Sequence, residues 1–139
     1  IANMTNVAGH TTIEDRAVIG GMTGIHQFVR IGTGAMVGAY TRLPQDVPPF
    51  MLCEGNPSLI RNINLIGLRR AKKSKSAINE IKSIYKLLFR SDQNASQALK
   101  SIASHGFKSP EALHLISFLK KDSKRGITKK IDTESDIET

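Results

Sequence analysis

The chain has 139 residues, a net charge of +8 and a single cysteine. That is room for one domain, or for a stack of repeats with a small appendage. Cys53 alone allows no intrachain disulfide and points to a reducing compartment, the cytoplasm; it reads as filler in an apolar loop rather than a nucleophile. No apolar run reaches the roughly 18 residues a membrane span needs. With aromatic residues at 5%, the basic charge lacks the stacking surfaces of a single-strand binder, so nucleic acid is not the expected partner.

From Ile1 to Pro48 the sequence repeats every six residues. Position one is always aliphatic: Ile1, Val7, Ile13, Ile19, Ile25, Ile31, Val37, Leu43. Position five is small or β-branched: Thr5, Thr11, Ala17, Thr23, Val29, Ala35, Thr41, Val47. Position two is mostly Ala or Gly. Neither a helical period nor plain alternation generates this pattern. A hexapeptide repeat is the signature of a parallel β-helix, in which three hexads make one rung and each rung buries its apolar side chains on the next. Residues 18 apart are then neighbours. Gly20-Gly21 and the Gly32-x-Gly34 pair form no phosphate-binding loop, since no helix follows in the required place; they are expected at corners needing positive φ. The repeat is already in phase at Ile1 with no capping repeat, so the chain is read as the C-terminal part of something longer. Expressed alone, its open first rung predicts aggregation.

Asp46-Val47-Pro48-Pro49 is expected to end the pattern, because consecutive prolines cannot donate to a sheet ladder. Residues 49–73 read as a connecting segment around the turn signal Gly55-Asn56-Pro57-Ser58. Residues 74–121 read as a helical domain. Ala77, Ile78, Ile81, Ile84, Tyr85 and Leu88 form one helical face, Ala95, Ala98, Leu99 and Ile102 a second, and Ser109-Pro110 opens a third as N-cap and first-turn proline. Residues 122–139 are polar without period and are expected to be disordered. Between 61 and 90 stand nine Lys and Arg against Glu80 alone, a surplus equal to the net charge of the whole chain. So dense a patch suits an anionic partner, or is simply a solvated helix face.

The 18-residue spacing sets Gly9 beside Gln27 and His10 beside Phe28 on one edge. A histidine, an amide and a bare glycine backbone could bind a sugar or hold an oxyanion there; His10 and His26 also fit ordinary polar residues at turns. They stand 16 apart, in different phases of the repeat, and His105 and His114 fall in the helical part. No metal site is therefore expected within this chain.

Beyond the repeat, Gly9-His10, Ile19-Gly20-Gly21-Met22, His26-Gln27-Phe28, Gln45-Asp46-Val47-Pro48-Pro49, Gly55-Asn56, Asn64-Leu65-Ile66-Gly67-Leu68-Arg69-Arg70 and Tyr85-Lys86-Leu87-Leu88-Phe89-Arg90 occur in order. Together they resemble the acyl-carrier-protein–UDP-N-acetylglucosamine O-acyltransferase family of lipid A biosynthesis, over roughly residues 1–121. The resemblance implies a left-handed β-helix with a C-terminal helical domain, a homotrimer with sites between subunits, no cofactor, and acyl carrier protein and UDP-N-acetylglucosamine as partners. It implies transfer of a 3-hydroxyacyl chain to the sugar 3-hydroxyl, with a histidine general base that would lie before Ile1. Gly9 matches the backbone donor to the oxyanion. His10 and Gln27 match sugar contacts, His26 a residue near the acyl channel, and Asn64 and Arg70 the nucleotide and phosphate positions. Ala39 and Pro57 match the region that measures acyl length, where the Ala39 methyl predicts a groove shorter by about a carbon or two. Ile66 and Ala71 depart from the family's usual glutamate and second arginine. Two other readings stand beside this one: a hexapeptide acyltransferase using acetyl-CoA on a nucleotide amino sugar, and a trimeric scaffold fragment without activity.

Overall fold

The computed structural model describes residues 1, 4–121 and 123–128. Seven two-residue strands come first: β1 (Asn6–Val7), β2 (Thr12–Ile13), β3 (Val18–Ile19), β4 (Gly24–Ile25), β5 (Arg30–Ile31), β6 (Met36–Val37) and β7 (Arg42–Leu43). They are dealt in rotation to three sheets, β1-β4-β7, β2-β5 and β3-β6. All pairs are parallel, and the register joins Val7 to Ile25 to Leu43, Ile13 to Ile31, and Ile19 to Val37. This is the 18-residue rung expected from three hexads.

Burial rises along the stack. Ile1 is 71% exposed and Val7 44%, whereas Ile19, Ile25, Ile31, Val37 and Leu43 are at most 3% exposed. A position-one side chain is covered only when rungs lie on both sides of it. The inner row at position five tolerates threonine because each hydroxyl finds a carbonyl. Thr23 Oγ1 donates to Gly38 O at 3.2 Å, and Thr41 Oγ1 to the same oxygen at 2.7 Å. A buried hydroxyl without such a partner would be costly.

Position four holds a feature that residue type conceals. Met4, His10, Arg16, Met22, Phe28, Gly34 and Tyr40, six apart, all adopt φ between 57° and 67°. Only one is glycine, and each of the others bears roughly 1–2 kcal/mol of left-handed strain that stacking must offset. The expectation that Gly20 and Gly32, and Gly21 with them, supply positive φ is corrected. None does; a Cβ at Gly20 would run into the backbone of Ala39, and one at Gly32 into Pro49. Gly20 and Gly32 are glycine so that successive rungs can close, while Gly34 alone of the four has the expected φ of 66°.

The repeat does not stop at the prolines. It slips by two residues, so that Val47 rather than a residue 18 beyond Ile31 bridges to Ile31, and Cys53 pairs with Val37. Val47 thus takes a position-one place, fully buried. Residues 49–73 do more than connect. β8 (Met51–Glu54) lies parallel on β6, and β9 (Leu59–Ile63) turns back antiparallel through cis Asn56-Pro57. Burial pushes the Cys53 thiol up to about 12, which makes it a core side chain and a poor nucleophile.

Four helices follow: α1 (Leu65–Arg70), α2 (Lys75–Phe89), α3 (Ala95–Ser104) and α4 (Pro110–Lys120). Ser74, Asn94 and Ser109 cap the last three, each accepting from the backbone N–H three residues on. α2 buries Ala77, Ile81, Ile84, Tyr85 and Phe89 against α3, α4 and β9. Glu80 reaches across from α2 to accept the backbone N–H groups of Lys108 and Ser109, ahead of α4. α4 is bound to the coil directly. His114 lies 2.9 Å from the Glu14 carboxylate, and Arg30 stacks on Phe118 at 4.0 Å.

The expected disorder of the tail is corrected for residues 123–128. Asp46, whose side chain is fully buried, salt-bridges Arg30 at 2.9 Å and accepts from Ser123 Oγ at 2.5 Å. Its backbone N–H donates to Gly126 O and its carbonyl accepts from Thr128 N, both at 2.8 Å. Sequence period could not reveal this strap, since one buried carboxylate holds it. Residues 129–139 of that expected tail lie outside the described residues.

Candidate functional site

The left-handed turn at position four throws His10 and Phe28 outward from one edge, one rung apart. Their rings stack with centroids 5.1 Å apart and planes 12° from parallel. Gly9 lies beside Gln27, since a Cβ on Gly9 would come within 3.9 Å of Gln27 Nε2, and the Gly9 carbonyl accepts from Phe28 N at 3.3 Å. Gly9, His10 and Gln27 therefore form one group, as the 18-residue spacing requires. His26 stands next to it. Arg42 Nε donates to His26 Nε2 at 3.3 Å, since a guanidinium can only donate.

Asn64 and Arg70 belong elsewhere. They line a cavity of about 540 Å³ with Asp15, Arg16, Val18, Thr33, Gly34, Met36, Phe50, Ile66, Ala71 and Lys73 among its walls; neither His10, His26 nor Gln27 is among them. This cavity opens on another edge, that of Arg16 and Gly34. The Asn64 amide caps α1 by accepting from Gly67 N at 3.1 Å, and it donates to Gly34 O at 3.0 Å. It is 8% exposed, so it shapes the cavity as much as it faces it. Ile66 is 65% exposed at the rim. Arg16, Arg70 and Lys73 give that rim cations, and Val18, Met36 and Phe50 give it apolar walls. Such a lining suits a ligand with a flat apolar part and an anionic part. Ala39 is exposed on the third edge, over Gly20, and Pro57 is exposed in the β8–β9 turn.

A sequence profile of the family described as UDP-N-acetylglucosamine O-acyltransferase, domain 2, matches residues 46–128. The chain belongs to this family. It is 47% identical over 119 residues to an acyl-[acyl-carrier-protein]–UDP-N-acetylglucosamine O-acyltransferase of Gloeothece citriformis, covering 86% of this chain and 43% of that protein. A Nautilia profundicola protein of the same name is 44% identical over 127 residues, 91% of this chain and 48% of its own. Among solved structures, the Francisella novicida UDP-N-acetylglucosamine acyltransferase superposes with a TM-score of 0.88 at 27% identity, over 96% of this chain and 49% of that one. The Moraxella catarrhalis UDP-N-acetylglucosamine O-acyltransferase gives 0.85 at 35% identity, over 91% and 49%. The chain thus spans about half the length of the relatives it matches.

Some residues at the candidate site carried no sequence signal. Lys124 Nζ lies 4.1 Å above the Phe28 ring, and Arg125 Nε donates to Gln27 O at 2.8 Å. They come from the strap, in a stretch without period. Arg42 likewise occupies an unremarkable hexad position.

Proposed function

We propose that the whole protein is an O-acyltransferase that moves a 3-hydroxyacyl chain from acyl carrier protein to the 3-hydroxyl of UDP-N-acetylglucosamine, the first step of lipid A biosynthesis. The observation that carries this reading is the group of Gly9, His10 and Gln27 on one edge of a family member. In the reaction the sugar oxygen attacks the thioester carbonyl while a general base takes its proton. The tetrahedral oxyanion rests on the Gly9 N–H, and the C–S bond then breaks to release the carrier thiol. The base is a histidine in sequence before Ile1. His10 and Gln27 orient the sugar, and His26, beside Arg42, borders the acyl channel.

The coil is read as a closed, left-handed β-helix, and the assembly as a homotrimer in the cytoplasm. Two features support the trimer. The His10 edge and the Asn64–Arg70 cavity are half-sites on different edges of one chain, so a second copy can bring them face to face. The outward side of β3 and β6 is apolar, with Val18 52% and Met36 40% exposed, which suits a subunit contact. Asn64 and Arg70 of one copy then hold the nucleotide whose sugar lies at His10 of another. The cations between 61 and 90 receive the acidic carrier protein. Ala39 and Pro57 bound the acyl groove.

Incubating the whole protein with UDP-N-acetylglucosamine and 3-hydroxyacyl carrier protein is expected to give one acylated nucleotide sugar by mass spectrometry. No product is expected with acetyl-CoA, and His10→Ala, by misplacing the sugar, is expected to slow transfer by about 10²-fold. Transfer from acetyl-CoA alone would replace this reading with an acetyltransferase; transfer from neither donor would leave a scaffold. Ala39→Gly is expected to lengthen the preferred acyl chain by about one or two carbons, on the scale of one or two buried methylenes. An unchanged chain length removes that role.

A further inference from the structure

We propose that the C-terminal strap completes a binding subsite for a phosphate ester at the His10 edge, with Lys124 as its principal cation and Arg125 beside it. The strap is held in place. Ser123 Oγ bonds the Asp46 carboxylate at 2.5 Å and also accepts from Gly126 N at 2.8 Å, and Gly126 and Thr128 bond the Asp46 backbone. What this anchoring presents is charge. Lys124 Nζ stands 4.1 Å over Phe28, whose other neighbour is the His10 ring, and Arg125 spends only its Nε on Gln27 O. Its two terminal nitrogens make no hydrogen bond among the described residues. Arg42 supplies a third cation on the far side, against His26.

Among the described residues, no carboxylate pairs with Lys124, Arg125 or Arg42. Asp46, the acid nearest the strap, is buried and engaged by Arg30 and Ser123. A strap needed only to cover Phe28 would do so better with an apolar side chain, because a cation over a ring gains little at an exposed site. Lys124, Arg125 and, beside His26, Arg42 have no acidic partner among the described residues, and together they make a local field for an anion. Lys124 acts as a movable point charge and Arg125 as a planar fork, both suited to phosphate oxygens.

This inference rests on the acyltransferase reading, in which two substrates bring phosphate esters: the pyrophosphate of the nucleotide sugar and the phosphodiester of the carrier's phosphopantetheine arm. Steady-state kinetics of the whole protein distinguish them. Lys124→Ala is expected to raise KM about tenfold for one of the two substrates, with kcat within about twofold, and to lose this difference at high salt. Lys124→Arg restores most of it. A rise for UDP-N-acetylglucosamine assigns the pyrophosphate; a rise for the acyl carrier protein assigns the phosphodiester. Ser123→Ala, which frees the strap while keeping Lys124, is expected to raise the same KM. Calorimetric titration of inorganic pyrophosphate into wild type and Lys124→Ala decides the subsite even if the protein transfers no acyl group, which would sink only the broader reading. Equal pyrophosphate affinity together with unchanged KM for both substrates overturns the subsite.

Discussion

The edge that carries His10 is built by a repeat, whereas the cavity around Asn64 is built where that repeat breaks. On the edge, each side chain's place follows from the rung below it, and His10 meets Phe28 because 18 residues separate them. One wall of the cavity still follows the repeat, with Asp15, Arg16 and Val18 standing 18 before Thr33, Gly34 and Met36, and the facing wall does not. Asn64 caps a six-residue helix, Phe50 follows a two-residue slip in register, and Arg70 ends the helix that Asn64 starts. A repeat makes a rigid, predictable frame whose stability is shared between neighbours. An interruption makes a concave surface, because strands that no longer stack leave room for a ligand. Under the proposed reading the two are half-sites, and they should fail in different ways.

The largest failure is expected at Asp46, which joins the regions. Asp46→Ala leaves the half-buried guanidinium of Arg30 without its carboxylate and releases the strap, and removing one member of such a pair costs up to about 3–5 kcal/mol. Urea unfolding of the variant checks this; a loss under about 1 kcal/mol would mean that coil and strap are held by something else. Next in size is the gradient within the coil. Ile31→Ala, at a fully buried position, is expected to cost about 2–5 kcal/mol, whereas Val7→Ala, 44% exposed, falls within about 0.5 kcal/mol. Equal losses at the two positions would contradict neighbour-dependent burial.

Glycines sharpen the same contrast. Gly32→Ala forces a methyl into Pro49 and is expected to cost about 1–3 kcal/mol by overpacking. Gly24→Ala, at the start of β4 with nothing within 4 Å of its would-be Cβ, is neutral to slightly stabilising. Thermal melts of both variants test the pair, and a destabilised Gly24→Ala would refute the close-approach account.

The smallest effect concerns the tie between coil and α4. Burial works to raise the Glu14 pKa, but hydrogen bonds from His114 and Thr33 and the His114 charge outweigh it and hold the carboxyl below its ordinary value of 4.5. Its stabilisation is therefore complete above that value and is lost as pH falls below about 4.5. Glu14→Gln is expected to flatten the acid limb of a stability-against-pH curve. An identical acid limb would exclude Glu14 from the linkage.

From the residues alone, the hexad period determined the three-sheet coil, the neighbours of His10 and Gln27 and the rows of the core. Period carries this much because a stacked rung has only one place for each side chain. Helical spacing determined α2, α3 and α4, and the Ser109 cap the start of α4, for the same local reason. Tertiary structure decided the rest. The left-handed turn at position four has no residue-type signature, since His10, Arg16 and Phe28 adopt it under the compulsion of stacking. The two-residue slip at Val47, the second duty of Asn64 and the docking of Lys124 over Phe28 depend on contacts between segments far apart in sequence. Such contacts leave no period behind, because each is satisfied once, by a single pairing, rather than repeated along the chain.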